Sequence, residues 1–256
     1  MKRMSTIGLG RRLSSVYHLA LRHRTIDRWG RGVVNVIDVG SSGAMPLPWR
    51  EQAHRIKHLL NFEPLEGSST TGTVTTIGAA LWRVAEERPF YVYRGEGSAS
   101  LFRQDEDFVR ANYDELRRRG PRYLADTWFD RAQLVGTQLI HTTTLDAVLA
   151  SFGNGVTYHF LKLDAQGADL AILEGAEGFV GTDCLGIQLE AFTIPLLRGT
   201  PLLADIDAHL ARRGFDRAWT APAHGTFDSQ HDVLYLRNRA SSSPALDAIR
   251  AVYGLS

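Results

Sequence analysis

The sequence predicts an α/β protein with a mostly parallel sheet and helices on both faces, and three observations support this prediction. Short apolar runs alternate with helical segments, which is typical of strand–helix–strand units. Residues 33–40 form one such run that ends in glycine, as a buried parallel strand does where it enters a loop. The 256 residues, 44% hydrophobic and 22% charged, suit one large globular domain. We expect about seven strands in the sheet.

The first strand is followed by a predicted helix over residues 48–60. Pro48 suits its first turn, because proline lacks an N–H that this position would leave unpaired. Its apolar side chains fall on one face at helical spacing, and they are Trp49, Ala53, Ile56 and Leu60. Strands predicted at 59–63 and 73–77 complete the unit.

Residues 82–140 interrupt the alternation. Residues 91–93 alternate like an edge strand, with 98–102 as the expected returning partner. A helix is predicted at 105–119, stopped by Gly120 and Pro121. Because a stretch of this length between core elements is more often functional than not, we predict an insertion that forms a substrate pocket or lid.

The alternation resumes after residue 140. The remaining predicted elements are, in order, a helix from Thr144 to Ala150, a strand at 158–163, a helix at 168–175, a strand at 185–189, a helix capped by Thr200 and Pro201, and a closing hairpin of strands at 218–220 and 233–236. The chain then divides into a basic helical N-terminal extension (1–32), the α/β domain (33–240) and a C-terminal tail (241–256).

Charge and cysteine content limit the partners and the compartment. The formal net charge of +1 gives no reason to expect a nucleic-acid partner. Residues 1–32 carry eight Lys or Arg side chains against one acid, Asp27. We expect a solvated terminal helix there, with peripheral contact to a membrane surface or an anionic substrate, or a transit peptide, as alternatives. The single cysteine, Cys184, suits a reducing compartment, so we expect a cytoplasmic protein. The sequence predicts no oligomeric state.

The candidate binding residues are those that follow the predicted strands. In an open α/β sheet the ligand lies beyond the carboxyl ends of the strands, where the strand order reverses. Glu63, at the end of the second strand, is placed to accept hydrogen bonds from both ribose hydroxyls of a nucleoside. The candidates are Asp38, Gly40, Ser41, Ser42, Gly43, Glu63, Pro64, Ala79, Ala80, Asp164 and Gln166.

Two cofactors would suit such a site, a nicotinamide dinucleotide and S-adenosylmethionine. The dinucleotide pattern Gly-x-Gly-x-x-Gly is broken, since alignment on Gly40 puts Ser42 and Met45 at the second and third glycines. Pro46 follows at once, which is unfavourable for a helix N-terminus aimed at a pyrophosphate. The loop therefore favours a ligand that has an adenosine but no pyrophosphate.

The most specific motif spans residues 160–176 and reads Phe-Leu-Lys-Leu-Asp-Ala-Gln-Gly-Ala-Asp-Leu-Ala-Ile-Leu-Glu-Gly-Ala. Four shorter pieces support it in chain order: Asp38-Val39-Gly40, Phe62-Glu63-Pro64, Thr144-Leu145-Asp146 and Gln188-Leu189-Glu190. With this pattern the chain resembles the FkbM-type methyltransferases over residues 33–236. It departs from them at Gln166 and Asp169, where glutamate is common, and at the serines that follow Gly40.

The resemblance implies a Rossmann-like class I methyltransferase fold with S-adenosylmethionine as the methyl donor. It also implies methylation of a hydroxyl on a sugar, glycan or polyketide-like acceptor, so the expected partner is a small molecule or a glycan. A hydroxyl is a weak nucleophile, and a general base therefore helps the transfer. The candidates for that base are Asp164, Glu190 and His141.

Three alternatives stay open at this stage. Asp164 and Glu190 could hold a divalent cation, although no third ligand is evident and we rank this lower. A nicotinamide-dependent oxidoreductase is disfavoured by the broken glycine pattern. A non-catalytic member of the family would be supported if Asp164 and Glu190 pointed away from the pocket.

Overall fold

The computed structural model describes residues 32–40, 45–152, 155–238 and 241–255. The predicted extension over 1–32 lies almost wholly outside these residues, and so do Ser41, Ser42 and Gly43 of the predicted binding loop. The described residues form one large sheet, one small sheet and the helices around them. The predicted α/β class is confirmed.

The large sheet has eight strands, one more than predicted. Their bounds are β1 Val34–Val39, β2 Ile56–Phe62, β3 Ser69–Thr71, β4 Val74–Ile77, β8 Phe160–Leu163, β9 Gly186–Phe192, β10 Phe215–Thr220 and β11 Gln230–Arg237. The extra strand is the short β3, which runs antiparallel to β4 at the edge of the sheet.

The strands follow one another in space as β10-β11-β9-β8-β1-β2-β4-β3. β1 pairs in parallel with both β2 and β8, and β9 continues the parallel set. β11 is antiparallel and lies between β9 and β10, so the predicted closing hairpin is confirmed. The chain moves outward from β1 in one direction and later in the other, which makes the gap between β1 and β8 the topological switch point.

Helices cover both faces of this sheet. They are α4 Leu145–Phe152, α5 Asp169–Glu174, α6 Glu177–Gly181, α7 Leu203–Arg212 and α8 Pro244–Val252. On one face α5, α6 and α7 pack on Ile37, Leu161 and Ile187. On the other face α8, which lies within the segment expected to be a tail, packs with Trp49 on Val36 and Phe160. Burial on both faces explains why apolar residues predominate in the central strands.

The interrupting segment forms a separate small sheet and three helices. β5 (Ala80–Leu81), β6 (Glu87–Tyr93) and β7 (Leu134–Thr143) lie in the order β5-β7-β6, while α1 (Glu106–Leu116), α2 (Arg122–Asp126) and α3 (Trp128–Arg131) follow β6. The predicted partner of β6, residues 98–102, touches it at one bridge only, between Tyr91 and Ser100. The main partner of β6 is β7, which the prediction missed.

The helix predicted over 48–60 is wrong. Its first half is a series of turns and a short 3-10 helix, Ala53–Arg55, and β2 begins at Ile56. The residues that share a helical face are buried nonetheless, and Ile56 pairs with Val34 of β1. Pairing along the whole of β1 therefore outweighs the helical periodicity of the segment.

The helix start predicted at Thr200 and Pro201 is also wrong. α7 begins at Leu203, and the Asp205 carboxylate accepts the Leu202 backbone N–H at 2.8 Å. The Thr200 hydroxyl donates instead to the Gly167 carbonyl at 3.2 Å. Thr200 thus stabilises the loop that contains Gly167, at the carboxyl edge of the sheet. None of the described helices is long and apolar enough to cross a membrane.

Candidate functional site

The carboxyl ends of β1 and β8 meet at Gly40. Its φ is +79°, and a Cβ at this position would lie 2.0 Å from the Asp164 carbonyl oxygen. Only glycine combines this backbone conformation with so close an approach. Gly40 therefore sets the spacing of the two strands at the switch point.

A buried ion pair joins β1 and β8 next to this junction. Lys162 Nζ is 3.1 Å from Asp38 Oδ1 and 3.6 Å from Asp164 Oδ2. The Asp38 side chain is 1% exposed, whereas that of Asp164 is 36% exposed and faces the edge of the sheet. Asp38 thus neutralises Lys162 within the sheet, and its predicted contact with a cofactor stays a prediction.

The loop after β8 joins the two predicted catalytic carboxylates. Gln166 has a φ of +48°, and its amide donates to Asp164 Oδ1 at 3.0 Å and to Glu190 Oε2 at 3.4 Å. Its backbone carbonyl accepts the Ser100 hydroxyl at 2.7 Å. A non-glycine residue in this region of backbone space is strained, and such strain concentrates at functional sites. Asp164 and Glu190 therefore lie in one cluster rather than pointing apart.

Glu190 is a buried carboxyl group whose pKa is shifted by its surroundings. Burial raises its pKa well above the ordinary value, and the nearby charges of Asp164 and Asp232 raise it further. The Gln230 amide donates to its Oε2 at 2.5 Å. A carboxyl group with a raised pKa is a stronger base than an ordinary carboxylate.

Two residues of this cluster were missed by the sequence reasoning. His224 lies with Nδ1 3.8 Å from Glu190 Oε1 and Nε2 3.4 Å from Asp232 Oδ2. Asp232 lies on β11 opposite Glu190 in the antiparallel register. Asp232 directly precedes the strand predicted over 233–236, and nothing in the sequence distinguished His224 among nine histidines.

Asp169, at the start of α5, is also buried in the cluster. Burial raises its pKa from 3.8 to about 6, and the charge of Asp164 contributes. The folded protein therefore holds this proton more tightly than the unfolded chain. We expect wild type to lose stability relative to Asp169→Asn as the pH rises from about 4 to about 6. Above about pH 6 the difference in the free energy of unfolding between the two proteins should be constant. Urea unfolding of both proteins from pH 4 to 8 measures this, and a difference that does not vary with pH would contradict it.

The predicted cofactor residues at the ends of β2 and β4 lie along the same edge. Glu63 directly follows β2, and its Oε1 accepts the Leu65 backbone N–H at 3.1 Å. Pro64 is partly exposed next to it, Ala79 follows β4, and Ala80 is buried in β5. A carboxylate at this strand end is of the kind that accepts hydrogen bonds from adjacent hydroxyls.

His141 does not join the other two candidate bases. It lies on β7 with its side chain 84% exposed, and its Nε2 is 3.4 Å from Glu87 Oε1. The small sheet, rather than the carboxyl edge of the large one, determines its position. The contacts of His141 are with the small sheet and Glu87, and its role as a base stays a prediction.

Within the part of the chain that the structure describes, no group of three or more His, Cys, Asp or Glu side chains has an arrangement that could hold a metal ion. Carboxylates outnumber cationic side chains in the cluster, where Asp38, Asp164, Asp169, Glu190 and Asp232 surround Lys162 and His224. The edge is therefore suited to a ligand group that carries positive charge.

Comparison with known proteins gives the family. The family described as "Methyltransferase FkbM domain" matches residues 46–217, which include β2, β8, β9 and the motif over 160–176. The chain belongs to this family. The resemblance drawn from the sequence is confirmed, and so are the Rossmann-like sheet of this class of methyltransferases and the assignment as a methyltransferase.

The solved structures to which this FkbM domain is similar are distant from it in sequence. One is a methyltransferase FkbM from Methylobacillus flagellatus KT, with 12% identity over 79% of this chain and 43% of that one, at a TM-score of 0.44. Another is a magnesium protoporphyrin IX methyltransferase from Synechocystis PCC 6803 with bound SAM, with 11% identity over 93% of this chain and 86% of that one, at a TM-score of 0.37. The chain thus spans less than half the length of the first. No curated protein matches it.

Proposed function

We propose that this domain transfers the methyl group of S-adenosylmethionine to a hydroxyl oxygen of a sugar, glycan or polyketide-like acceptor. The observation that carries the proposal is the pairing of Asp164 and Glu190 through the Gln166 amide, with the Glu190 pKa raised. A hydroxyl must lose its proton as the new bond forms. A carboxylate poised to take a proton suits that step better than a fully exposed one.

The residues at the edge suit the cofactor. When bound, S-adenosylmethionine supplies a methyl group on a positively charged sulfur. The excess of carboxylates around Asp164 and Glu190 complements such a charge. Glu63, three strands away from Glu190 at the end of β2, offers carboxylate oxygens to adjacent hydroxyls, as the acidic residue of nucleotide-binding βαβ units does.

Glu63→Ala is expected to weaken the binding of S-adenosylhomocysteine about 10- to 100-fold, because hydrogen bonds to a charged group are lost. Calorimetric titration measures the affinity. Glu51→Ala is the control, since Glu51 is an exposed acid at a distance from any strand end. Unchanged affinity in Glu63→Ala would show that the ribose assignment is wrong.

In this proposal the acceptor lies between the edge of the large sheet and the insertion. Ser100, which belongs to the insertion, touches the Gln166 carbonyl, so the insertion reaches the catalytic loop. Several of its aromatic rings, among them Trp128 and Phe129, pack on one another instead of facing outward. Tyr123 is an exception, with 69% of its surface exposed.

The reaction is tested by supplying S-adenosylmethionine with a panel of hydroxyl-bearing acceptors and with amino and thiol analogues of the same skeletons. We expect S-adenosylhomocysteine to form with hydroxyl acceptors and the product to carry an ether methyl. Methylation of the amino or thiol analogues alone would contradict the proposal.

A further inference from the structure

The loop between β10 and β11, residues 221–229, carries a histidine into the catalytic cluster. This loop follows the segment that matches the family, which ends at residue 217. Its His224 lies between two carboxylates of neighbouring strands, 3.8 Å from Glu190 and 3.4 Å from Asp232. The ring therefore has an acid at each nitrogen.

The contacts around Glu190 divide between its two oxygens. The amides of Gln166 and Gln230 both donate to Oε2. Oε1 is the oxygen that lies nearest to His224 Nδ1. Asp232, 3.4 Å from the opposite nitrogen, favours the imidazolium. His224 Nδ1 thus faces Glu190 Oε1, the oxygen that accepts neither of these two amide hydrogen bonds.

The charges around the pair support this arrangement. His224 faces Glu190 on β9, and its pKa is raised by Asp232 on β11, Asp164 after β8 and Asp228 in its own loop against the opposing effect of burial. Glu190 faces Asp164, Asp232 and Asp169, with Lys162 as a compensating cation. A protonated His224 offsets the repulsion that otherwise favours the neutral form of Glu190.

The insertion holds the loop in place. Phe227 has a φ of +64° and is fully buried beside Trp128 and Tyr113. The Arg131 guanidinium donates to the Thr226 hydroxyl at 2.7 Å. A bulky residue persists in this backbone region only where its surroundings stabilise it. The insertion, through Phe227 and Thr226, therefore determines where His224 lies.

We propose that His224 is a positioning residue whose imidazolium keeps Glu190 ionised, so that Glu190 can take the proton of the acceptor hydroxyl. The acceptor oxygen would form a bond to the methyl carbon as the bond between that carbon and sulfur breaks. The hydroxyl proton would move to Glu190, which would release it to water after the product leaves. The role of Glu190 as the base rests on the proposed function, whereas the coupling between His224 and Glu190 does not.

The coupling is tested by NMR titration of the histidine rings in the whole chain, without cofactor or acceptor. We expect His224 to titrate above about 6.5, the ordinary histidine value. Glu190→Gln is expected to lower that pKa by about one pH unit, because a charge at 3.8 Å is removed. Asp232→Asn is expected to lower it in the same direction. A His224 pKa at or below the ordinary value, or one that does not respond to Glu190→Gln, overturns the proposal.

The pH profile of methylation tests whether His224 keeps Glu190 ionised during the reaction. In His224→Asn, Glu190 lacks its counter-charge and needs a higher pH to ionise. We therefore expect the acidic limb of the pH profile of kcat to move to higher pH, with KM little changed. His231→Asn is the matched control, since this ring lies on the same hairpin and contacts only the Ala221 carbonyl among the bonds described. An unmoved limb in His224→Asn overturns the proposal. If no hydroxyl is methylated while the NMR coupling is present, the proposed function fails and the coupling stands.

Thr226→Val tests the part played by the insertion. It removes the hydroxyl that accepts from Arg131 and leaves the catalytic side chains intact. We expect the His224 pKa to fall towards the ordinary value in the folded variant. A pKa equal to that of wild type would show that the insertion does not position the ring.

Discussion

Glu190→Gln is expected to lower kcat for methyl transfer about 10²- to 10⁴-fold, the usual contribution of a general base. Glutamine keeps the size of the side chain and can still accept the amide hydrogen bonds of Gln166 and Gln230, but it cannot take a proton. The affinity for S-adenosylhomocysteine should stay close to that of wild type. Initial rates at saturating cofactor, together with calorimetry, separate the two effects.

Glu174→Gln is the matched control for this experiment. Glu174 lies at the end of α5, its side chain is 37% exposed, and its partner is Arg83. We expect that variant to retain the wild-type rate. A rate for Glu190→Gln within a few-fold of wild type would exclude Glu190 as the base. Asp164 would then be the next candidate base to test by substitution.

Lys162→Met is expected to destabilise the fold by about 3–5 kcal/mol, because it leaves Asp38 buried without its partner. That is a large part of the roughly 5–15 kcal/mol by which a domain of this kind is stable. The Lys162 pKa is raised by the Asp38 and Asp164 charges despite burial, so the pair is ionised throughout the range in which proteins are usually studied. Urea unfolding at pH 7 measures the loss.

Two further variants keep this prediction testable if Lys162→Met does not fold. The double variant Lys162→Met with Asp38→Asn removes both charges, and we expect it to recover most of the lost stability. Lys57→Met, on the exposed side of β2, should change stability little. A double variant as unstable as the single one would show that packing, rather than the unpaired charge, explains the loss.

The sequence predicted the parts of the fold that depend on burial pattern. β1, β8 and β9 lie where continuous apolar runs end in glycine or a carboxylate, and the motif over 160–176 supplies both Lys162 and Asp164. It failed at Ile56, where a helical spacing of apolar residues coincides with a strand that must pair with β1. Periodicity within one segment cannot reveal a partner that is distant in the chain.

The candidate site was predicted in part for the same reason. Asp164, Gln166 and Glu190 follow buried strands, and strand ends can be read from the sequence. His224 lies in a loop whose path depends on Phe227 fitting among the aromatic rings of the insertion. Phe227 and Trp128 lie about a hundred positions apart in the chain, so no local sequence pattern predicts their contact.

A crystal structure of the protein with S-adenosylhomocysteine bound tests the central claim most directly. The account predicts that the ribose hydroxyls contact Glu63 and that the sulfur faces the space beside Asp164 and Glu190, where an acceptor oxygen would lie in line with the methyl group. A ligand bound elsewhere, or a sulfur turned away from Glu190, would contradict it.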